Sequence, residues 1–284
     1  MKRYDVRILR SDGESFSYET DDFGIISVKG ADFPEMEISK QPKGFGHGEI
    51  ITGMRKRGRE IEITAALWSL SKSYDANRAS VIGFHNANYT FDVMITYLGV
   101  TRIAKDCVIS AASYPTERYK VNPLLTISYL SPNADLYALN SDITSFTSIS
   151  PLWHVTRQYE GTGGKLAFGA LTKTTEKTVN YLGSEPAPIV VTVKAAGYVN
   201  GIDVAAGDKT MRVATKLYAG DTLVIDGEER LVTKNGVPVP QSDYDTWQLF
   251  GINITYGDNT VRVSSGDNTA FTAEISYVGR YGGL

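Results

Sequence analysis

The last third of the chain is a succession of short runs in which apolar and polar residues alternate, cut by dipeptides suited to positive φ. Side chains alternate faces along a strand, so in the run from Pro186 to Val193 the residues Ile189, Val191 and Val193 share one face, while Val190 and Thr192 take the other. Leu223-Val224-Ile225 and Ile252-Asn253-Ile254 repeat the pattern. Asp226-Gly227 and Asn235-Gly236 read as two-residue hairpin turns, whose favoured form places both central residues at φ > 0. A helix with a 3.6-residue period cannot be built from this pattern. A β-sandwich can.

The same alternation runs through Glu60 to Thr64, Phe91 to Tyr97, Leu125 to Tyr129 and Phe271 to Tyr277, with further turn signals at Asp12-Gly13 and Asn200-Gly201. The period breaks between Ser73 and about Ala87. There Ser73 is placed to cap a helix, Asp75 faces the positive end of its dipole, and Tyr74, Val81 and His85 fall on one side. A single amphipathic helix is expected. Around Ser131-Pro132-Asn133 the pattern stops, and Asn140 to Ser150 is polar with no strong strand, so a boundary is placed near Asn133. The expected architecture is mainly β with two sandwich-like domains. The first, residues 1–133, carries the helix; the second, residues 134–284, is jelly-roll or galectin-like. Gly-Asp-Asn-Thr occurs at Gly257 and again at Gly266, and is read as two turns flanking Val261-Arg262-Val263.

A chain of 284 residues with 42% hydrophobic content has enough material for two cores. Lys+Arg 29 against Asp+Glu 32 leaves a net charge of −3, which points to protein partners rather than to specific nucleic-acid binding or an anionic membrane. Cys107 is the single cysteine, so no intrachain disulfide can form, and it is read as a small core residue. No apolar signal region or membrane span is legible, and synthesis in a cytosol without export is expected.

No motif carries chemistry. His47, His85 and His154 lie far apart, without metal-ligand spacing. The loops Gly44 to Gly48 and Gly161 to Lys165 do not open a helix, as a phosphate cradle requires. Asp21-Asp22 and Glu228-Glu229 are adjacent pairs, and neighbours on a strand point to opposite faces. No catalytic, cofactor-binding or metal-binding residue is therefore named, no cofactor is expected, and the chain is read as a non-enzyme. The run Arg55-Lys56-Arg57-Gly58-Arg59 is read first as a solvated hairpin tip, with phosphate tracking and the lining of a DNA conduit as alternatives. Tyr244, Trp247 and Tyr256 could form an aromatic platform for sugars. Alternation instead groups Ile252, Ile254 and Tyr256 on one inward face, and core packing is the preferred account.

The order of parts resembles the distal tail (Dit) proteins of siphophage-like bacteriophages and prophages. The resemblance is carried by Gly24-Ile25, the passage from Gly48-Glu49-Ile50 to Arg59-Glu60-Ile61-Glu62-Ile63, the helix, Tyr89 to Val93, Tyr129-Leu130-Ser131-Pro132 and the C-terminal pattern. Asn140 to Tyr181 is longer and more polar than that family's pattern. The resemblance implies a virion structural protein at the tail tip: a homohexameric distal tail hub, or baseplate hub, ringed by its N-terminal domains. It further implies contacts with the tail tube protein, the tape measure protein, a tail-associated fibre or lysin protein and receptor-binding proteins. The competing reading is a carbohydrate-binding module that recognises host surface glycans.

Overall fold

The structure is a computed structural model that describes residues 4–68, 70–114, 123–151, 169–173, 176–265 and 271–284. The polypeptide divides into two compact units, one of Met1–Leu139 with Arg280–Leu284, the other of Asn140–Gly279. Both chain ends thus fall in the first unit.

The first unit contains strands β1 (Tyr4–Arg10), β2 (Ser15–Ser17), β3 (Phe23–Lys29), β4 (Met36–Pro42), β5 (Glu49–Lys56) and β6 (Arg59–Leu67). Helix α1 (Tyr74–Phe84) follows, then β7 (Phe91–Tyr97), β8 (Val100–Ser113), β9 (Leu124–Ser131) and the start of β10 (Leu136–Ser145). Strand β8 belongs to two sheets. Its first half pairs antiparallel with β7, which continues to β1 and β2; its second half pairs with β9, which continues to β6 and β3. At the changeover Asp106 takes φ 55, and its N–H is held by Asp92 Oδ1 at 3.1 Å. A strand that bends from one sheet to another closes the corner of a sandwich. Val6, Ile8, Ile61, Ile63, Val93, Ile95, Leu125 and Ile127 fill the interior.

Helix α1 begins as its sequence dictates. Ser73 caps it, the hydroxyl accepting from the Ala76 N–H, and Asp75 lies in the first turn. Its buried residues are Asn77, Val81 and Phe84, and His85 just beyond it is buried as well.

The second unit contains β11 (Thr147–Pro151), β12 (Gly169–Lys173), β13 (Glu176–Tyr181), β14 (Ala187–Ala195), β15 (Val199–Ala206) and β16 (Lys209–Leu217). After these come β17 (Thr222–Asp226), β18 (Leu231–Lys234), β19 (Val237–Pro238), the short helix α2 (Thr246–Leu249), β20 (Asn253–Ile254), β21 (Gly257–Ser264) and β22 (Phe271–Tyr281). One layer runs β19-β18-β17-β14-β22, the other β13-β21-β15-β16. Ile189, Val191 and Val193 are buried with Leu223, Ile225 and Ile275, and Ile202, Val204, Val213, Val261 and Val263 belong to the same core. The chain is mainly β, in two sandwich-like units.

Four local expectations need correction. Asn140 to Ser145 continues strand β10 and Thr147 to Ser150 lies in β11, although neither stretch shows a strong strand pattern. Asn200-Gly201 is a register shift inside β15 rather than a turn. The link after Asp226 spans residues 227–230, and its left-handed residue is Arg230 at φ 57. The first Gly-Asp-Asn-Thr begins strand β21 instead of preceding it; the second lies outside the described residues.

Candidate interaction surfaces

Strands β4 and β5 pair only with each other among the described residues, forming a two-stranded sheet apart from the sandwich layers. Opposed residues of an antiparallel pair share a face. Ile38 opposes Met54, and beyond a register shift Lys40 opposes Ile51, so the pleat places Ile38, Ile51 and Met54 on one side. All three are at least half exposed, and Phe45 at the tip is 99% exposed. That side also carries Lys40 and Glu49, paired at 2.7 Å, while the opposite side carries Glu37 against Arg55, Ser39 against Gly53 and Gln41 against the half-exposed Ile50. An isolated two-stranded ribbon is marginal in water. One with free edges and an uncovered apolar face is a template for pairing with another chain.

The basic run lies at the base of this hairpin, not at its tip, because residues 43–48 make the tip. Its cations are occupied locally. Arg55 pairs with Glu37 at 2.7 Å, Lys56 with Asp135 at 2.8 Å, and Arg57 reaches Glu35 at 3.5 Å and Glu37 at 3.7 Å. The Arg55 hydrogen bond holds the Glu37 carboxyl below its usual range. Arg59 is different in kind: it is 2% exposed, and its guanidinium donates to the carbonyls of Ala134 at 2.8 Å, Gly30 at 2.7 Å, Gly282 at 2.6 Å, and Asp32. Burial lowers its pKa, while Asp135 and Asp32 raise it. Four backbone carbonyls stand where a carboxylate partner would be expected.

The other singled-out side chains are structural. His85 stacks among Phe84, Phe91 and Tyr129, with Nδ1 2.7 Å from the Val81 carbonyl and Nε2 2.9 Å from the Tyr18 hydroxyl, which in turn meets Tyr129 at 3.1 Å. A carbonyl only accepts, so Nδ1 carries the proton and Nε2 accepts from Tyr18. Burial pushes the His85 pKa down to about 4 and that of the Cys107 thiol up to about 12. Asp22 accepts from the Ser71 and Lys72 N–H groups and the Ser71 hydroxyl, and the Ser71 hydroxyl bond leads in lowering its pKa to about 2. Asp226 Oδ1 accepts from the N–H groups of both Glu228 and Glu229, which makes that acidic pair part of a turn. His154 and the loop Gly161 to Lys165 lie outside the described residues. Among the described residues there is no metal-holding group of His, Cys, Asp and Glu, and no helix long and apolar enough to cross a membrane.

On the second unit the expected inward face is split. Ile252, Ile254 and Tyr244 are buried, but Tyr256 is 75% and Trp247 83% exposed. Strand β20 ends at Ile254, so the alternation does not carry on to Tyr256, and the Asn259 side-chain amide donates to the carbonyls of Thr255 and Gly257 on either side of it.

Residues 182–281 match the family described as siphovirus-type tail component, C-terminal domain. Residues 182–281 therefore form a siphophage-type tail component domain. The fold of a distal tail (Dit) protein extends over nearly the whole chain. The crystal structure of the Dit protein of phage SPP1 is described as a paradigm of hub adsorption apparatus in phages infecting Gram-positive bacteria; it superposes with a TM-score of 0.66 at 14% identity, covering 97% of this chain and 98% of that one. The phage P2 baseplate in its calcium-activated conformation matches with a TM-score of 0.45 at 8% identity, covering 96% and 97%. No curated protein matches the chain in sequence.

Proposed function

We propose that this chain is the distal tail hub of a siphophage-type tail, a structural ring that connects the tail tube to the receptor-binding apparatus. The observation that carries the mode of assembly is the β4–β5 hairpin. Its Ile38, Ile51 and Met54 are uncovered within their own unit, and its charges are already paired within the ribbon, Glu37 with Arg55 and Lys40 with Glu49. A contact in which one copy's hairpin meets a different surface of the next is heterologous, and such contacts close into a ring when the rotation allows. A homohexamer formed by the N-terminal units, residues 1–133 in the sequence reading, satisfies this. The tail tube and tape measure proteins would meet one face of the ring, the tail-associated fibre or lysin protein and receptor-binding proteins the other. Synthesis in the bacterial cytoplasm and residence at the virion tail tip follow from that role. The family is a structural one, and the chain's part is scaffolding rather than catalysis.

The test is mass measurement by light scattering, with electron microscopy of the chain alone and mixed with its tail tube protein. A six-fold ring is expected in the mixture. Ile38→Lys with Ile51→Lys should abolish it while leaving the circular dichroism spectrum unchanged. A strict two-fold dimer under both conditions, or rings unaffected by the double substitution, would sink the proposal.

A further inference from the structure

We infer that the second unit carries a saccharide-stacking site built on Trp247, a function separate from ring assembly. Trp247 sits on the four-residue helix α2, and little about its backbone is left to order. Asp245 Oδ1 accepts from the Trp247 N–H at 2.8 Å, Leu249 is buried beneath, Gly251 N–H donates to the Gln248 carbonyl at 3.0 Å, and the Asn253 amide donates to the Phe250 carbonyl at 3.0 Å. The ring of Phe250 lies 5.8 Å from that of Trp247 with only 30° between their planes, and Arg230 covers Phe250 with its guanidinium 4.2 Å from the ring centre. The backbone that presents the aromatic pair is therefore held in place, and Trp247 remains 83% exposed.

The surroundings decide what such a platform suits. It borders an open concavity of about 390 Å³ whose wall also includes Lys209, Thr210, Gln248 and Gly251. These supply an ammonium, a hydroxyl and an amide beside the aromatic face. The polarised C–H face of a pyranose is attracted to the negative face of an aromatic ring, and its equatorial hydroxyls need donors and acceptors at the rim. Size favours the same answer. A full aromatic side chain offers roughly 150–250 Å², and Phe250 is only 41% exposed, so the pair falls well short of the about 800 Å² that a stable protein interface needs from each partner. Here the border of the aromatic pair is polar. The concavity falls within the roughly 300–1,000 Å³ range of small-ligand sites. The ligand class is a neutral pyranose within an oligosaccharide, stacked on Trp247 and held at its edge by Gln248 and Lys209.

The experiment uses the full-length chain on an array of neutral hexose and N-acetylhexosamine oligosaccharides of two to six units, followed by titration calorimetry of the best binder. Binding with a Kd of about 1 mM or tighter is expected, with Trp247→Ala weakening it by about tenfold or more, Trp247→Phe retaining part of it, and Gln248→Ala causing a severalfold loss. All three variants should melt like the parent and assemble with the tail tube protein as it does, which separates this site from the hub reading. Failure of every oligosaccharide to bind below about 10 mM, or binding indifferent to Trp247→Ala, would overturn the inference. So would a Trp247-dependent contact with another tail protein in place of sugar.

Discussion

Removing the Arg59 guanidinium should destabilise the first unit more than any exposed charge change in the basic run. Its four acceptors come from the segment after β3 (Gly30 and Asp32), the segment after β9 (Ala134) and the C-terminus (Gly282), so one side chain ties three stretches distant in sequence. Hydrogen bonds to a charged group contribute about 1.5–3 kcal/mol each, against a desolvation penalty of several kcal/mol for burying the cation. Arg59→Ala relieves the penalty but strands four carbonyls and leaves a void. The net loss should be about 3–5 kcal/mol. Arg59→Lys keeps the charge without the planar fork and should lose about 2 kcal/mol. Deleting residues 282–284 removes one acceptor and the bond from the Leu284 N–H to the Ala31 carbonyl, and should cost about 2 kcal/mol. Urea titration followed by hydrogen exchange of peptides from β6 and β9 reads the first unit selectively. A loss below about 1 kcal/mol for Arg59→Ala, or a truncation that leaves exchange in those strands unchanged, would refute the reasoning.

Two further outcomes follow. His85 has a folded pKa of about 4 against an ordinary 6.5, so the unfolded chain binds its proton first and stability falls as pH drops from about 6.5 towards 4. The loss approaches about 3 kcal/mol at the lower end, and urea midpoints across that range should flatten in His85→Gln relative to the parent; an equally steep profile in the variant would count against it. Gly30 lies at φ +79, where an added Cβ would stand 1.8 Å from the Glu60 carbonyl oxygen, so Gly30→Ala should cost several kcal/mol, roughly 3 or more. Because the Gly30 carbonyl also accepts from Arg59, its combination with Arg59→Ala should cost less than the sum; strict additivity in the urea-derived stabilities would contradict that coupling.

What could be read from the sequence depended on whether a residue type had one physical use or several. Asn235-Gly236 was legible because both residues do take positive φ, 52 and 78. Asp226-Gly227 gives the same turn signal for another reason: a Cβ on Gly227 would stand 2.8 Å from the Ile189 carbonyl oxygen, so that glycine permits close approach of strands and Arg230 supplies the left-handed residue. Strand β10 escaped notice because Leu139 to Ile143 are all exposed, and a strand without a buried face shows no alternation. The hairpin was obscured likewise, since its apolar side faces outward and a bulge interrupts its register. The core-packing reading of the aromatic cluster rests on the alternation of Ile252, Ile254 and Tyr256, which does not extend to Trp247; a four-residue helix presents too few positions for its outer side to be distinguished by period.

The discontinuity of the first unit bears on how the chain can be dissected. A fragment ending at Asn133 contains all of β1 to β9 and the hairpin, but it lacks Ala134 and Gly282, two of the four carbonyls that hold Arg59, and Asp135, the partner of Lys56. Such a fragment keeps the buried cation and loses half of its acceptors, the arrangement in which an ion in a core is most costly. A chain joining residues 1–139 to 280–284 through a short glycine-serine linker restores them. If the ring is built by this unit, the joined form should fold and assemble with the tail tube protein, whereas the simple truncation should exchange its β6 and β9 amides faster. Equal protection in the two forms would show that the C-terminal segment is dispensable, and that Arg59 finds its partners without it.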